Sequence, residues 1–144
     1  MKKIILFSLL FLTTLSFAQN WTTSLDAAKT EAISSNKNIL LVFSGSDWCA
    51  PCIKLDRTIL QSDVFKAEAE KKWVLLKADF PKKKGNLLSV EQTESNKKLA
   101  EKYNKEGNFP LVVLLDATGK VIGITGYKNI SPTEYVQLLN AMVN

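Results

Sequence analysis

The apolar run Ile39-Leu40-Leu41-Val42-Phe43 breaks at Ser44-Gly45-Ser46-Asp47 and leads directly into Trp48-Cys49-Ala50-Pro51-Cys52. An unbroken apolar run reads as a strand covered on both faces. The two cysteines are the only ones in 144 residues, and they fall where a helix is about to start. Residues i and i+3 lie on one helical face, so their sulfurs can close a disulfide with little backbone movement. The first sulfur sits among the unpaired N–H groups of the helix N-terminus, whose partial positive charge favours the thiolate. The thiolate is the nucleophile of disulfide exchange, so a buried strand, a polar turn and a dithiol at a helix start together indicate redox chemistry.

The rest of the chain supplies elements on either side of that unit. Ser24 to Asn36 predicts a first helix with Leu25, Ala28, Ala32 and Ile33 on its inner side. The helix carrying the dithiol runs to about Leu60, with Ile53, Leu55 and Ile59 facing the core. Ser62-Asp63 marks a break and a fresh cap before Val64 to Lys72. Trp73 to Asp79 is a second buried strand, and Pro81 to Ser89 a loop. Ser89-Val90-Glu91-Gln92 has the form of a capping box and starts a helix carrying Leu99, Ala100 and Tyr103. Gly107-Asn108-Phe109-Pro110 ends it. Leu111 to Leu115 is a third strand, turned by Asp116-Ala117-Thr118-Gly119 into a fourth, Lys120 to Thr125. Ser131-Pro132-Thr133-Glu134 caps a last helix that buries Tyr135, Val136, Leu138, Leu139 and Met142. Strands alternating with helices predict an α/β fold: a three-layer sandwich with a mostly parallel central sheet, an antiparallel edge hairpin and helices on both faces.

The first eighteen residues are expected to lie outside this fold. Met1-Lys2-Lys3 is a basic start, Ile4 to Leu15 an apolar stretch, and Ser16-Phe17-Ala18 places small residues for cleavage before Gln19. Residues 1–18 therefore read as a cleavable signal peptide and 19–144 as a single domain. Export, to the periplasm or beyond it, puts the cysteines where disulfides persist. The chain carries a formal charge of +5, and loss of Lys2 and Lys3 leaves +3. Lys82-Lys83-Lys84 has no interleaved aromatics and reads as a solvated loop, not a nucleic-acid surface. The absence of histidine excludes Ser-His and Cys-His catalysis. Two thiolates do not complete a tetrahedral zinc site, so no metal is expected.

The element order, with Cys49-Ala50-Pro51-Cys52 after the first long strand and Phe109-Pro110 before the third, resembles the thioredoxin fold. Phe43 to Cys49, and Asn96 to Tyr103 leading into Phe109-Pro110, are most similar to exported bacterial thioredoxin-like proteins of the thioredoxin-7 type. The resemblance implies that Cys49 attacks and that Cys52 is the buried resolving thiol. It also implies that Pro110 is a cis-proline offering backbone contacts to an extended substrate, with Phe109 beside it, and that Trp48 shields the pair. The bland readings are an inert Cys49–Cys52 bridge, a Pro110 that merely starts a strand and a Trp48 that belongs to the core. Thioredoxins commonly bury an aspartate where this chain has Phe43, and the lysine that often neighbours it aligns with Leu75. The pocket under Cys52 is thus expected to be apolar, which disfavours its thiolate.

The implied activity is thiol–disulfide exchange with protein disulfides or thiols, in the reducing direction, with no cofactor. A membrane redox partner would reset the pair, and the protein is expected to be a monomer. The competing classes are a thioredoxin-fold binding or chaperone-like module with a structural or redox-responsive disulfide, and a metal-transfer protein using the same two thiols.

Overall fold

The computed structural model describes residues 19–143. The expected signal segment, 1–18, lies outside them. The elements run β1 (Trp21–Thr22), α1 (Leu25–Ser35), β2 (Asn38–Ser44), α2 (Ala50–Leu55) continuing into a π turn (Asp56–Leu60), α3 (Asp63–Lys72), β3 (Trp73–Asp79), a 3-10 turn (Lys84–Asn86), α4 (Val90–Tyr103), β4 (Leu111–Leu115), β5 (Val121–Thr125) and α5 (Pro132–Ala141). The sheet order is β1-β3-β2-β4-β5. β1 and β2 run parallel to β3, whereas β4 is antiparallel to both β2 and β5. The reversal of strand sense therefore falls between β2 and β4, and the hairpin occupies one edge.

Side-chain alternation along β2 divides the core between the two faces of the sheet. Leu40 and Val42 pack with Leu55, Ile59, Leu60, Phe65, Tyr135 and Leu139, from α2, the π turn, α3 and α5. Ile39, Leu41 and Phe43 pack with Ala28, Ala32, Leu99 and Tyr103, from α1 and α4. These five β2 residues are at most 1% exposed, which is why the run carries no polar alternation. The sandwich thus follows from one uninterrupted apolar strand.

Helix starts agree with their local chemistry. Ser24, Ser62, Ser89 and Ser131 each accept a backbone N–H from the first turn of the helix that follows. At Ser131 the box closes, because Glu134 also accepts the Ser131 N–H. At Ser89 only half of it forms: the Gln92 amide donates instead to Asn96 Oδ1 and Thr23 O. Those two bonds fix the orientation of the Gln92 amide, and its Oε1 does not receive the Ser89 N–H.

Several expectations need correction. Ile33 is 67% exposed, so the inner face of α1 is carried by Ala28 and Ala32. Ile53, Leu138 and Met142 are only partly buried. β1 has no signature in the sequence: two residues are too few to show a period, and the strand exists because Trp21 and Thr22 pair with Leu75 and Leu76. The helix expected to continue to Leu60 becomes a π turn from Asp56, the form in which extra residues are usually accommodated within a helix.

Candidate active site

The turn after β2 delivers the dithiol. Cys49 is the N-cap of α2, and its Sγ accepts the Cys52 N–H at 3.3 Å. The first sulfur therefore occupies the position a capping hydroxyl would take, with one helix N–H aimed at it. Pro51 lies within the first turn, where a missing N–H costs nothing. Cys49 and Cys52 are joined as a disulfide with Cα atoms 5.2 Å apart. Both are buried, at 5% and 2% exposure. The Gly45 N–H points at Cys52 Sγ, 3.5 Å away.

Phe43 is fully buried and supplies no carboxyl. Its cross-strand neighbours are Ala78 on β3 and Leu111 on β4, both apolar. Leu75 pairs with Leu40 and packs on the opposite face of the sheet, so the alignment of Leu75 with a lysine beside Phe43 is corrected. The outcome for the site is unchanged, because Ala78 is also apolar. Asp47 is equally unsuited to serve as a base for Cys52. Its carboxylate accepts the Lys82 N–H at 2.9 Å, the Lys83 N–H at 2.9 Å and Asn86 Nδ2 at 3.0 Å.

Trp48, next to Cys49 in the chain, packs with two further aromatic side chains. Trp48, 40% exposed, meets Phe109 edge to face with centroids 5.6 Å apart, and Phe80 meets Phe109 at 5.5 Å. Such pairs contribute about 0.5–1.5 kcal/mol each beyond their buried area. Trp48 Nε1 donates to Phe80 O at 2.7 Å, which ties the residue before Cys49 to the end of β3. The Phe109–Pro110 peptide is cis, and Pro110 is buried. The turn leading to it is held by Asn104, whose Nδ2 donates to Asn108 O and whose Oδ1 accepts the Asn108 N–H, both at 2.9 Å. Gly107, at φ 68°, supplies the left-handed residue of that turn.

The indole packs directly against Gly45. A Cβ built there would stand only 2.7 Å from Trp48 Nε1. Gly45→Ala is therefore expected to displace the indole and break its bond to Phe80 O. The Trp48 indole N–H resonance in NMR spectra should move to a solvent-exposed position; an unshifted resonance would show that the neighbours yield instead.

A pair of carboxylates clasps the turns that follow β2 and β3. Asp79 accepts the Ser46 N–H and Oγ–H, at 2.9 and 2.5 Å, while Asp47 reaches the other way to Lys82 and Lys83. The Lys82 N–H, then the Asn86 amide, hold the Asp47 carboxyl below its usual range. A depressed carboxyl contributes stability above its unfolded pKa and loses it as pH falls through the folded value. The Lys82 and Lys83 amides should thus stay protected from hydrogen exchange at neutral pH and lose protection only as the pH falls below the ordinary aspartate range. Amide exchange against pH measures this, with Asp47→Asn expected to show weak protection throughout.

The sequence does not mark Asp47, Asp79, Gly45 and Asn104 as structural parts of the site. Each acts through a partner on a separate segment or through backbone geometry. The only hint is the density of Ser, Gly and Asp around residues 44–47.

The sequence profile of the Thioredoxin_7 family, described as thioredoxin-like, matches residues 20–117. The chain belongs to this thioredoxin-like family. It is 40% identical over 101 residues to the disulfide bond reductase DsbH of Chlamydia pneumoniae, across 70% of this chain and 59% of that protein. It is 30% identical over 89 residues to the thioredoxin-related protein DsbJ of Chlamydia pneumoniae, across 59% of this chain and 25% of that protein. The chain thus spans less than two thirds of either curated relative. Among solved structures, one described as a DsbH oxidoreductase superposes with a TM-score of 0.79 at 34% identity, covering 86% of this chain and 83% of the other. The thioredoxin-like assignment accounts for the strand–turn–dithiol unit, the sheet order and the placement of Phe109-Pro110 together.

Proposed function

We propose that this protein is a thiol–disulfide oxidoreductase of the cell envelope that reduces disulfides in protein substrates. The observation that carries the proposal is Cys49 Sγ at the α2 N-cap, hydrogen-bonded by the Cys52 N–H and disulfide-linked to Cys52. Identity to a protein named as a disulfide reductase favours the reducing direction. The basic and apolar start of the chain favours export to the periplasm.

In the reduced protein the Cys49 thiolate attacks one sulfur of a substrate disulfide. A Cys49–substrate bond forms, and the other substrate sulfur leaves as a thiolate that takes up a proton. Cys52 then gives up its proton and attacks Cys49 Sγ. The mixed disulfide breaks, the second substrate sulfur leaves, and the Cys49–Cys52 bond holds the oxidised state. Two electrons pass from the dithiol to the substrate. A membrane dithiol donor returns them in the same two steps run backwards. Trp48, Phe109 and the Pro110 backbone form the surface on which an extended substrate segment lies. No cofactor takes part in any step.

The test is the reduction potential of the Cys49–Cys52 pair together with insulin reduction by the mature protein. A reductase is expected near the thioredoxin value of about −270 mV, whereas a value near about −120 mV belongs to an oxidant and would reverse the direction. A protein that binds clients without reducing insulin would be a binding module.

A further inference from the structure

The loop after β3 is exposed, basic and fastened to the edge of the dithiol. Lys82, Lys83 and Lys84 are all exposed. None of them forms a salt bridge among the described residues. Solvated lysine loops are ordinarily free to swing away, but this one is not. Asp47, two residues before Cys49, grips the Lys82 and Lys83 amides and the Asn86 side chain. The Lys82 ammonium lies 3.9 Å from the centre of the Trp48 ring, and Trp48 adjoins Cys49. The Asp47 carboxylate takes N–H donors and no lysine ammonium, and its single negative charge, which acts on Lys83, leaves the three-lysine loop net positive. The same segment exposes the apolar side chains of Leu87 and Val90, at 61% and 81%.

A row of positive charge on a loop clamped to the turn that carries Cys49 attracts negative charge toward that turn. We propose that the Lys82–Lys84 loop is a specificity surface that selects polypeptide disulfides flanked by acidic residues. The proposal rests on the exchange activity proposed above and names its substrate class. The substrate lies with its disulfide over Cys49, an apolar residue against Trp48 and Phe109, and its carboxylates along Lys82, Lys83 and Lys84. Asp47 acts as a positioning residue, holding the charges where an arriving chain meets them. Steering of this kind raises association rates by about tenfold or more at low salt. It fades as the screening length falls from ~30 Å at ~10 mM to ~8 Å at ~150 mM salt.

Two measurements test it. The first is the rate at which the reduced protein reduces three disulfide peptides that differ only in acidic, neutral or basic flanks, at about 10 and about 150 mM salt. The acidic peptide is expected to react about tenfold faster than the basic one at low salt, with most of the advantage lost at high salt and in the Lys82→Gln/Lys83→Gln/Lys84→Gln protein. The second needs no turnover: the same peptides, with serine in place of cysteine, are titrated into a Cys49→Ser/Cys52→Ser protein by calorimetry. Tighter binding of the acidic peptide, abolished by the three glutamines, supports the surface even if exchange fails, and that failure would count against the function alone. Equal affinity for acidic and basic peptides overturns the specificity surface, whatever the exchange rates. A preference for vesicles of anionic over zwitterionic phospholipid, lost with the three lysines and without any peptide preference, overturns it in favour of a membrane contact.

Discussion

Cys49→Ser is expected to abolish insulin reduction, a fall of about 10³-fold or more, while the protein stays folded. A serine at this position still caps α2, and serine is among the better N-cap residues, so the helix loses nothing at its start. The disulfide closes a loop of only three residue steps, so its removal has a small effect on the entropy of the unfolded chain. What disappears is the thiolate, and a hydroxyl held by one helix N–H cannot replace it as a nucleophile. Cys52→Ser should behave differently. The first attack proceeds, but the mixed disulfide has no internal thiol to resolve it, so a covalent adduct with the substrate accumulates. Mass spectrometry after mixing with a disulfide peptide separates the two variants. An adduct on Cys49→Ser and none on Cys52→Ser would exchange the roles of the two cysteines, and equal adducts on both would show that either sulfur can attack. The melting temperature of each variant in the presence of reductant should match that of the native protein.

Phe43→Asp carries the largest expected effect on stability. The position invites the substitution, because thioredoxins commonly place an aspartate there. In this chain the surroundings are set for a phenylalanine: the ring is fully buried on the α1–α4 face among Leu41, Leu76, Ala78 and Leu99. Removing a buried aromatic ring costs about 3–5 kcal/mol through lost contacts and cavity formation. The new carboxyl adds a desolvation cost and meets no lysine, since Ala78 and Leu111 are the cross-strand neighbours. It would be held protonated, and therefore could not act as a base for Cys52 at neutral pH. The expected result is a loss of at least about 3–5 kcal/mol in urea unfolding, with no gain in exchange rate per folded molecule. Phe43→Leu, which keeps the site apolar, should cost much less. A folded, faster Phe43→Asp enzyme would show that the pocket tolerates a charge and that a missing base limits the native rate.

The consequences of the Phe43 position can be read in part from the chain. Its identity excludes a buried acid, but its neighbour cannot be chosen correctly without strand register. A shift of one residue along a strand moves every side chain to the other face. Leu75 and Ala78 differ by three positions and therefore face opposite layers, and only the pairing of β2 with β3 shows which one meets Phe43. Ile33 illustrates the same limit on a helix: its apolar character suggests the core, while the packing of α1 leaves it in solvent.

The dithiol, the caps at Ser24, Ser62, Ser89 and Ser131, and the buried character of β2, β3 and β4 are all legible in the amino-acid sequence alone. Each depends on residues within one turn or one strand, where backbone hydrogen bonding and side-chain period act directly. The loop at Lys82–Lys84 is the contrary case. By itself it reads as a solvated charge run, and its lysines are indeed exposed. Its attachment to the dithiol depends on Asp47 meeting Lys82 across 35 residues and Trp48 meeting Phe80 across 32. Those meetings follow from β2 and β3 lying side by side in parallel, which brings the turns at their ends together. Cysteine spacing thus decides which chemistry is available, because a disulfide needs only a short reach. The setting of that chemistry, with an aromatic cluster and a lysine loop fastened to the turn that carries Cys49, is decided by the sheet, because neighbouring strands convert distant sequence into contact.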